Sequence, residues 1–223
     1  LNGAYFITGQ AGYGVETYVH HLTQKSFVNP LRVRKMVDID WLVDHIGKRA
    51  RPLHLQKLLT ARTTLHISLT GYTDGLTRYV TTREPGIDLW VAFRASAAMP
   101  ILYNKSVKVG NGLYVDGSLR ARVPIQRVVE HGCRYVVVIL TMPHSHRIKS
   151  RHAWLQSLSW PATRRYSAAL RQALFEEDGD YNRMKSDLSR EHPRIAEGAN
   201  KVVVITPRSR PERFSTITTN PRH

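Results

Sequence analysis

Apolar and polar positions alternate over Leu65-His66-Ile67-Ser68-Leu69-Thr70, which predicts a strand with one buried face. A second short run, Leu76 to Thr82, follows the polar stretch from Gly71 to Gly75, so the pair reads as a hairpin or as two strands flanking a site loop. From Asp88 the period becomes helical. Leu89, Trp90, Phe93 and Ala97 share a face, and the helix ends in Ala95-Ser96-Ala97-Ala98 before Met99-Pro100. Val107-Lys108-Val109 and Leu113-Tyr114-Val115 are short strands joined by the turn Gly110-Asn111-Gly112. Val123-Pro124-Ile125 leads into a helix, Gln126 to His131, which Gly132 ends. Tyr135 to Leu140 is an almost unbroken β-branched run, the pattern of a strand buried on both faces in a parallel sheet. Strand, helix and strand at this spacing predict an α/β sandwich.

The flanks are less regular. Leu1 to Ile7 has helical composition without a capping residue ahead of it, and Gly9, Gly12 and Gly14 predict a loop. Val15, Tyr18, Val19, Leu22 and Phe27 fall on one face of a predicted helix that Asn29-Pro30 ends. Another helix starts at Asp38-Ile39-Asp40, with either aspartate as its cap. Beyond Pro143 the composition turns polar and basic. Helices are expected over Trp154 to Leu174 and Tyr181 to Glu191, a strand over Lys201 to Ile205, and a loose proline- and arginine-rich tail from Pro207. The division expected is therefore a domain over 1–143 and a second region over 144–223.

Composition narrows the function classes. A chain of 223 residues with 42% hydrophobic content is long enough for a real core, and its longest apolar run has the length of a strand, not of a membrane span. No charged start followed by an apolar stretch and a small-residue cleavage site is visible, so a place in the cytoplasm or at a membrane periphery is expected. The single cysteine, Cys133, precedes an apolar strand and reads as a buried, inert thiol. Lysine and arginine total 33 against 17 acidic residues, a formal charge of +16. That balance fits an anionic partner, or simply a basic surface that favours solubility. The densest clusters, around Arg147 to Arg151, Arg164-Arg165 and Arg208 to Arg213, carry no interleaved aromatics, which argues against nucleic acid. Asp38, Asp40 and Asp44 lack the glycine and distal glutamate of a calcium loop. His20-His21 diverge on their helix, and His144-Ser145-His146 has no companion ligand, so no metal and no cofactor is expected.

The candidate chemistry lies at Tyr114-Val115-Asp116-Gly117-Ser118. A carboxylate delivered at a strand end onto a glycine turn, with apolar walls, has what a general base needs. Asp-Gly is also among the commonest turn dipeptides, so local sequence alone leaves both readings open. The order of pieces adds to it: a strand with a polar loop, a helix ending Ala-Ser-Ala-Ala-Met-Pro, a hairpin, Tyr-Val-Asp-Gly-Ser, a Val-Pro-Ile helix and Val-Val-Val-Ile-Leu. This order resembles the patatin-like phospholipase family, clearly from about Leu65 to Pro143 and more weakly to either side.

The resemblance implies a three-layer α/β/α sandwich of the patatin type, incomplete at its N-terminus and carrying a C-terminal helical extension and a last strand. It implies a lipid acyl hydrolase with a Ser-Asp dyad. The serine would sit in a Gly-x-Ser-x-Gly elbow, Asp116 would be its general base, and a glycine-rich loop would supply oxyanion donors. Gly117 would then let the backbone turn so that the carboxylate faces the serine. Lipid or phospholipid would be the substrate, with peripheral contact to an anionic membrane. Trp90, Phe93, Met99, Ile101 and Leu102 could line an acyl groove, although at this spacing they read as core. The sequence departs from the family in having no Gly-x-Ser-x-Gly; His66-Ile67-Ser68-Leu69-Thr70 lacks both glycines. Leu1-Asn2-Gly3-Ala4-Tyr5-Phe6 resembles the stretch just after the elbow. The expectation is that the nucleophile lies outside this chain and that these residues alone do not hydrolyse esters. Ser118 stands where the family has Gly or Ala and reads as a turn serine. The competing class is a non-catalytic basic α/β module that binds anionic lipid or nucleic acid.

Overall fold

A computed structural model describes residues 1–32, 35–144, 146–147, 163–189 and 196–208. It separates into two compact units, Leu1–Gly117 and a second that begins at Ser118.

The first unit is built on a four-stranded antiparallel sheet of β1 (His66–Gly71), β2 (Thr77–Thr81), β3 (Val107–Val109) and β4 (Gly112–Asp116), in the order β2-β1-β4-β3. Both predicted hairpins form. Val109 pairs with Gly112, so the tight loop is Gly110-Asn111, with Gly110 at φ 57° supplying the left-handed position. Register places Leu69 opposite Arg78 on one side and Asp116 on the other, so these three side chains share a face. Ile67, Val80, Val107 and Val109 emerge on that same face and are buried.

The described residues of this unit form α1 (Asn2–Ile7), α2 (Ala11–Glu16), a π-turn over Thr17–His21, α3 (Trp41–Ala50), α4 (Leu55–Thr60) and α5 (Leu89–Ser96). α5 has its expected cap, because the Asp88 carboxylate accepts the Trp90 and Val91 N–H groups. Its buried Leu89, Ala92, Phe93 and Ala95 pack against the sheet. Trp90, Met99 and Leu102 are partly buried and pack against the same core. Asp38 receives the Trp41 N–H at the start of α3, which is wound wide enough for Arg51 N–H to reach the Ile46 carbonyl five residues back.

Two expectations fail here, and one helix was not anticipated. Gly12 and Gly14 do not break the chain; both lie inside α2, and the loop is confined to Gly9-Gln10. Gly14 is buried where α2 meets the Asn2 side chain, so it serves close packing. The Val15, Tyr18 and Val19 stripe faces outward, while Gly14 and Thr17 face inward. Periodicity located the stripe and could not say that the smaller residues mark the contact. α4 has no strong period and was not expected.

The second unit contains α6 (Ser118–Ala121), α7 (Ile125–Glu130), β5 (Tyr135–Ile139), α8 (Ala168–Leu188) and β6 (Lys201–Ile205). β5 and β6 pair in parallel, as the β-branched run implied. Among the described residues, only one face of β5 is covered. Val136 and Val138 lie in a cluster with Ile125 and Leu188, whereas Tyr135, Val137 and Ile139 are exposed. Burial on both faces is therefore not observed within this unit, because β5 has one strand beside it and one helical layer against it. Cys133 is exposed, contrary to expectation, since it sits in the turn after Gly132 rather than on the strand. The break expected between Leu174 and Tyr181 does not occur. Across that acidic stretch Glu176, Glu177 and Asp180 pair with Arg120, Arg122 and Arg183, and the helix continues through Gly179. The Trp154 end of the expected helix, most of the basic cluster at 147–151 and the tail from 209 lie outside the described residues. Lys185 on α8 is fully buried and donates to the Pro143 and His146 carbonyls. Burial, and after it the charge of Arg147, lowers its pKa.

Candidate functional site

Asp116 is the last residue of β4, and only 9% of it is exposed. On one side β4 pairs with β1. On the other, β3 has already ended, and the Asp116 N–H donates to the Ala98 carbonyl at 3.1 Å. The end of α5 thus takes the place of a strand edge. That explains its small residues: Ala95 and Ala98 are wholly buried, and larger side chains there would hold α5 off β4.

Gly117 is required for space. A Cβ at this position would lie 2.1 Å from the Ser68 carbonyl oxygen and 2.5 Å from the Ser68 hydroxyl. It is not among the glycines held at positive φ, so the turn does not use the left-handed conformation. Ser118 opens α6. Ser68 precedes Leu69, the register partner of Asp116, so its side chain leaves the sheet on the opposite face. It sits mid-strand and does not form an elbow. The structure therefore keeps Asp116 and Gly117 together as the sequence suggested and brings Ser68 next to Gly117 without aiming it at the carboxylate.

One charged cluster near this turn was missed. The Tyr103 hydroxyl donates to Asp40 Oδ1 at 2.6 Å, and Arg94 Nε lies 2.9 Å from the same oxygen. Lys35 reaches Asp40 Oδ2 at 2.9 Å and Asp38 at 2.8 Å, and Lys105 lies 3.5 Å from Asp40. Arg94 also donates to Asp44. Burial opposes ionisation of Asp40, but hydrogen bonds from Lys35 and Tyr103 and the nearby positive charges outweigh it and hold the carboxyl at about 2. Burial and the Asp40 contact push the Tyr103 phenol well above its ordinary range. The aspartate spacing at 38, 40 and 44 was visible in the sequence, and the partners that neutralise it were not.

The described residues form a mixed α/β protein with a nearly buried acid at a strand end, followed by a glycine whose added Cβ would meet the Ser68 backbone. Residues 1–129 match the patatin-like phospholipase family, and the chain belongs to it. It is also 27% identical over 145 residues to an uncharacterized protein, YjjU, of Escherichia coli (strain K12), a match covering 62% of this chain. The chain spans 40% of that relative's length. No solved structure matches.

Proposed function

We propose that Asp116 is the general base of a Ser-Asp dyad in a lipid acyl hydrolase, and that the serine is supplied by residues preceding Leu1 in a longer polypeptide. Family membership over residues 1–129 and the enclosed Asp116-Gly117 turn support this reading, and the turn carries it. The serine hydroxyl gives its proton to the Asp116 carboxylate as its oxygen attacks the ester carbonyl carbon. The tetrahedral oxyanion collapses, the C–O bond to the leaving alcohol breaks, and that alcohol leaves with the proton. Water then attacks the acyl-serine, gives a proton to the same carboxylate, and releases the fatty acid as the serine is reprotonated. Backbone N–H groups of an upstream glycine-rich loop stabilise the oxyanion. The complete protein is a three-layer α/β/α sandwich. The +16 charge of these 223 residues favours docking on anionic phospholipid.

The test compares this chain with a polypeptide extended upstream. Fluorophosphonate labelling and fatty-acid release from phospholipid vesicles are expected only in the extended form. Salt-sensitive DNA binding without ester hydrolysis in either form would instead favour the non-catalytic basic module.

A further inference from the structure

We propose that Asp40, gripping Arg94 and Tyr103, is a positioning residue for Asp116. This assignment rests on the reading of Asp116 as the base. The backbone that receives Asp116 is the Ala98 carbonyl, and Ala98 lies between the two arms of the Asp40 cluster. Arg94 stands one helical turn before it on α5. Tyr103 stands five residues after it, beyond a tightly coiled stretch. In that stretch Met99 N–H bonds to Ala97, Leu102 N–H to Pro100, and Tyr103 N–H to Met99. Both ends of the segment carrying Ala98 are therefore tied to one carboxylate oxygen.

The coil is strained as well as tight. Ile101 has φ 71° and Asn104 has φ 62°. A β-branched residue in the left-handed region is sterically disfavoured and persists only where its surroundings enforce it. Here they do. Tyr103 is almost wholly buried, and the Leu102 carbonyl accepts the Val37 N–H at 3.1 Å. Without the Tyr103–Asp40 bond the coil has less to oppose relaxation of Ile101. Relaxation would move Met99 and Ala98, and with them the acceptor of the Asp116 N–H. A neutral core could hold the fold equally well. A carboxylate bridging two sides of one carbonyl fixes where that carbonyl points.

The direct test is amide hydrogen exchange in this chain. Tyr103→Phe removes one arm with little change in volume and is expected to speed exchange of the Asp116 N–H at least tenfold, with the Val80 N–H in the sheet core unchanged. Unchanged Asp116 protection overturns the assignment. If Tyr103→Phe does not fold, Arg94→Gln cuts the other arm and is read the same way. In the extended polypeptide, Tyr103→Phe should lower kcat about tenfold on a soluble ester with KM within twofold. Unchanged kcat beside an inactive Asp116→Ala refutes positioning and leaves the base reading intact. An active Asp116→Ala refutes the base reading, and the exchange result still decides whether Asp40 holds the turn.

Discussion

Replacing Gly117 with alanine tests whether the Asp-Gly turn is held by close backbone approach. The added Cβ would sit 2.1 Å from the Ser68 carbonyl oxygen and 2.3 Å from its carbon. Both atoms are strand backbone, so no rotamer change relieves the contact. β1 and β4 would have to part by about 1 Å, which a close-packed interior resists. Overpacking of this kind costs about 1–3 kcal/mol. Loosening the adjacent Leu69↔Asp116 pairing forfeits about 1 kcal/mol for each ladder hydrogen bond lost. The sum is about 2–4 kcal/mol, and at about 2–4 °C per kcal/mol for a chain of this size Tm should fall by about 5–15 °C. Gly112→Ala is the control. The three atoms nearest its Cβ would all belong to Tyr114, at 2.6–2.7 Å, and a ring can swing aside at the cost of a weak contact with Arg78. Its penalty should stay near 1 kcal/mol. Thermal melts followed by circular dichroism measure both. Melts of Gly117→Ala and Gly112→Ala that coincide, or a Gly117→Ala melt within 2 °C of the parent, would refute the close-approach account.

Three further outcomes follow from the same geometry. Asp40 titrates at about 2 against an ordinary 3.8, so its contribution is present above about pH 4 and is lost as pH falls towards 2. With the carboxylate 30% exposed, that amounts to about 1–2 kcal/mol. Urea midpoints between pH 5 and pH 2.5 should therefore fall less steeply for Asp40→Asn than for the parent; parallel slopes would contradict this. Thr70 is fully buried on β1, and among the described residues its hydroxyl has no hydrogen-bond partner. Thr70→Val should be neutral or stabilising by up to about 1 kcal/mol in urea melts, and a clear loss would show that the hydroxyl is used. Lys185→Met should cost about 2 kcal/mol by leaving two carbonyls without their donor, whereas the exposed Lys201→Met should cost almost nothing. Equal melting of the two variants counts against the buried cradle.

What the sequence made legible was local. Alternation at Leu65 to Thr70, the Asp88 cap, the two hairpins and the Asp116-Gly117 turn all encode their structure within a few residues. The illegible parts depend on partners distant in sequence. Which side of Val15, Tyr18 and Val19 faces the core is decided by the packing of Gly14 against Asn2. The continuity of α8 is decided by Arg120 and Arg122, more than fifty residues before their glutamates. Asp40 looked like part of an unconvincing cation loop because Arg94, Tyr103 and Lys105 lie far along the chain. The steric reason for Gly117 was hidden for the same cause. A dipeptide announces a turn, and only the fold shows that the Ser68 carbonyl already occupies the space.

The proton acceptor is the point on which the functional account turns, and kcat of the upstream-extended polypeptide carrying Asp116→Ala tests it directly. On a p-nitrophenyl ester, with folding confirmed by an unchanged melt, the account predicts a loss of at least about 100-fold, the scale of a missing general base. Turnover within a few-fold of the parent would contradict it.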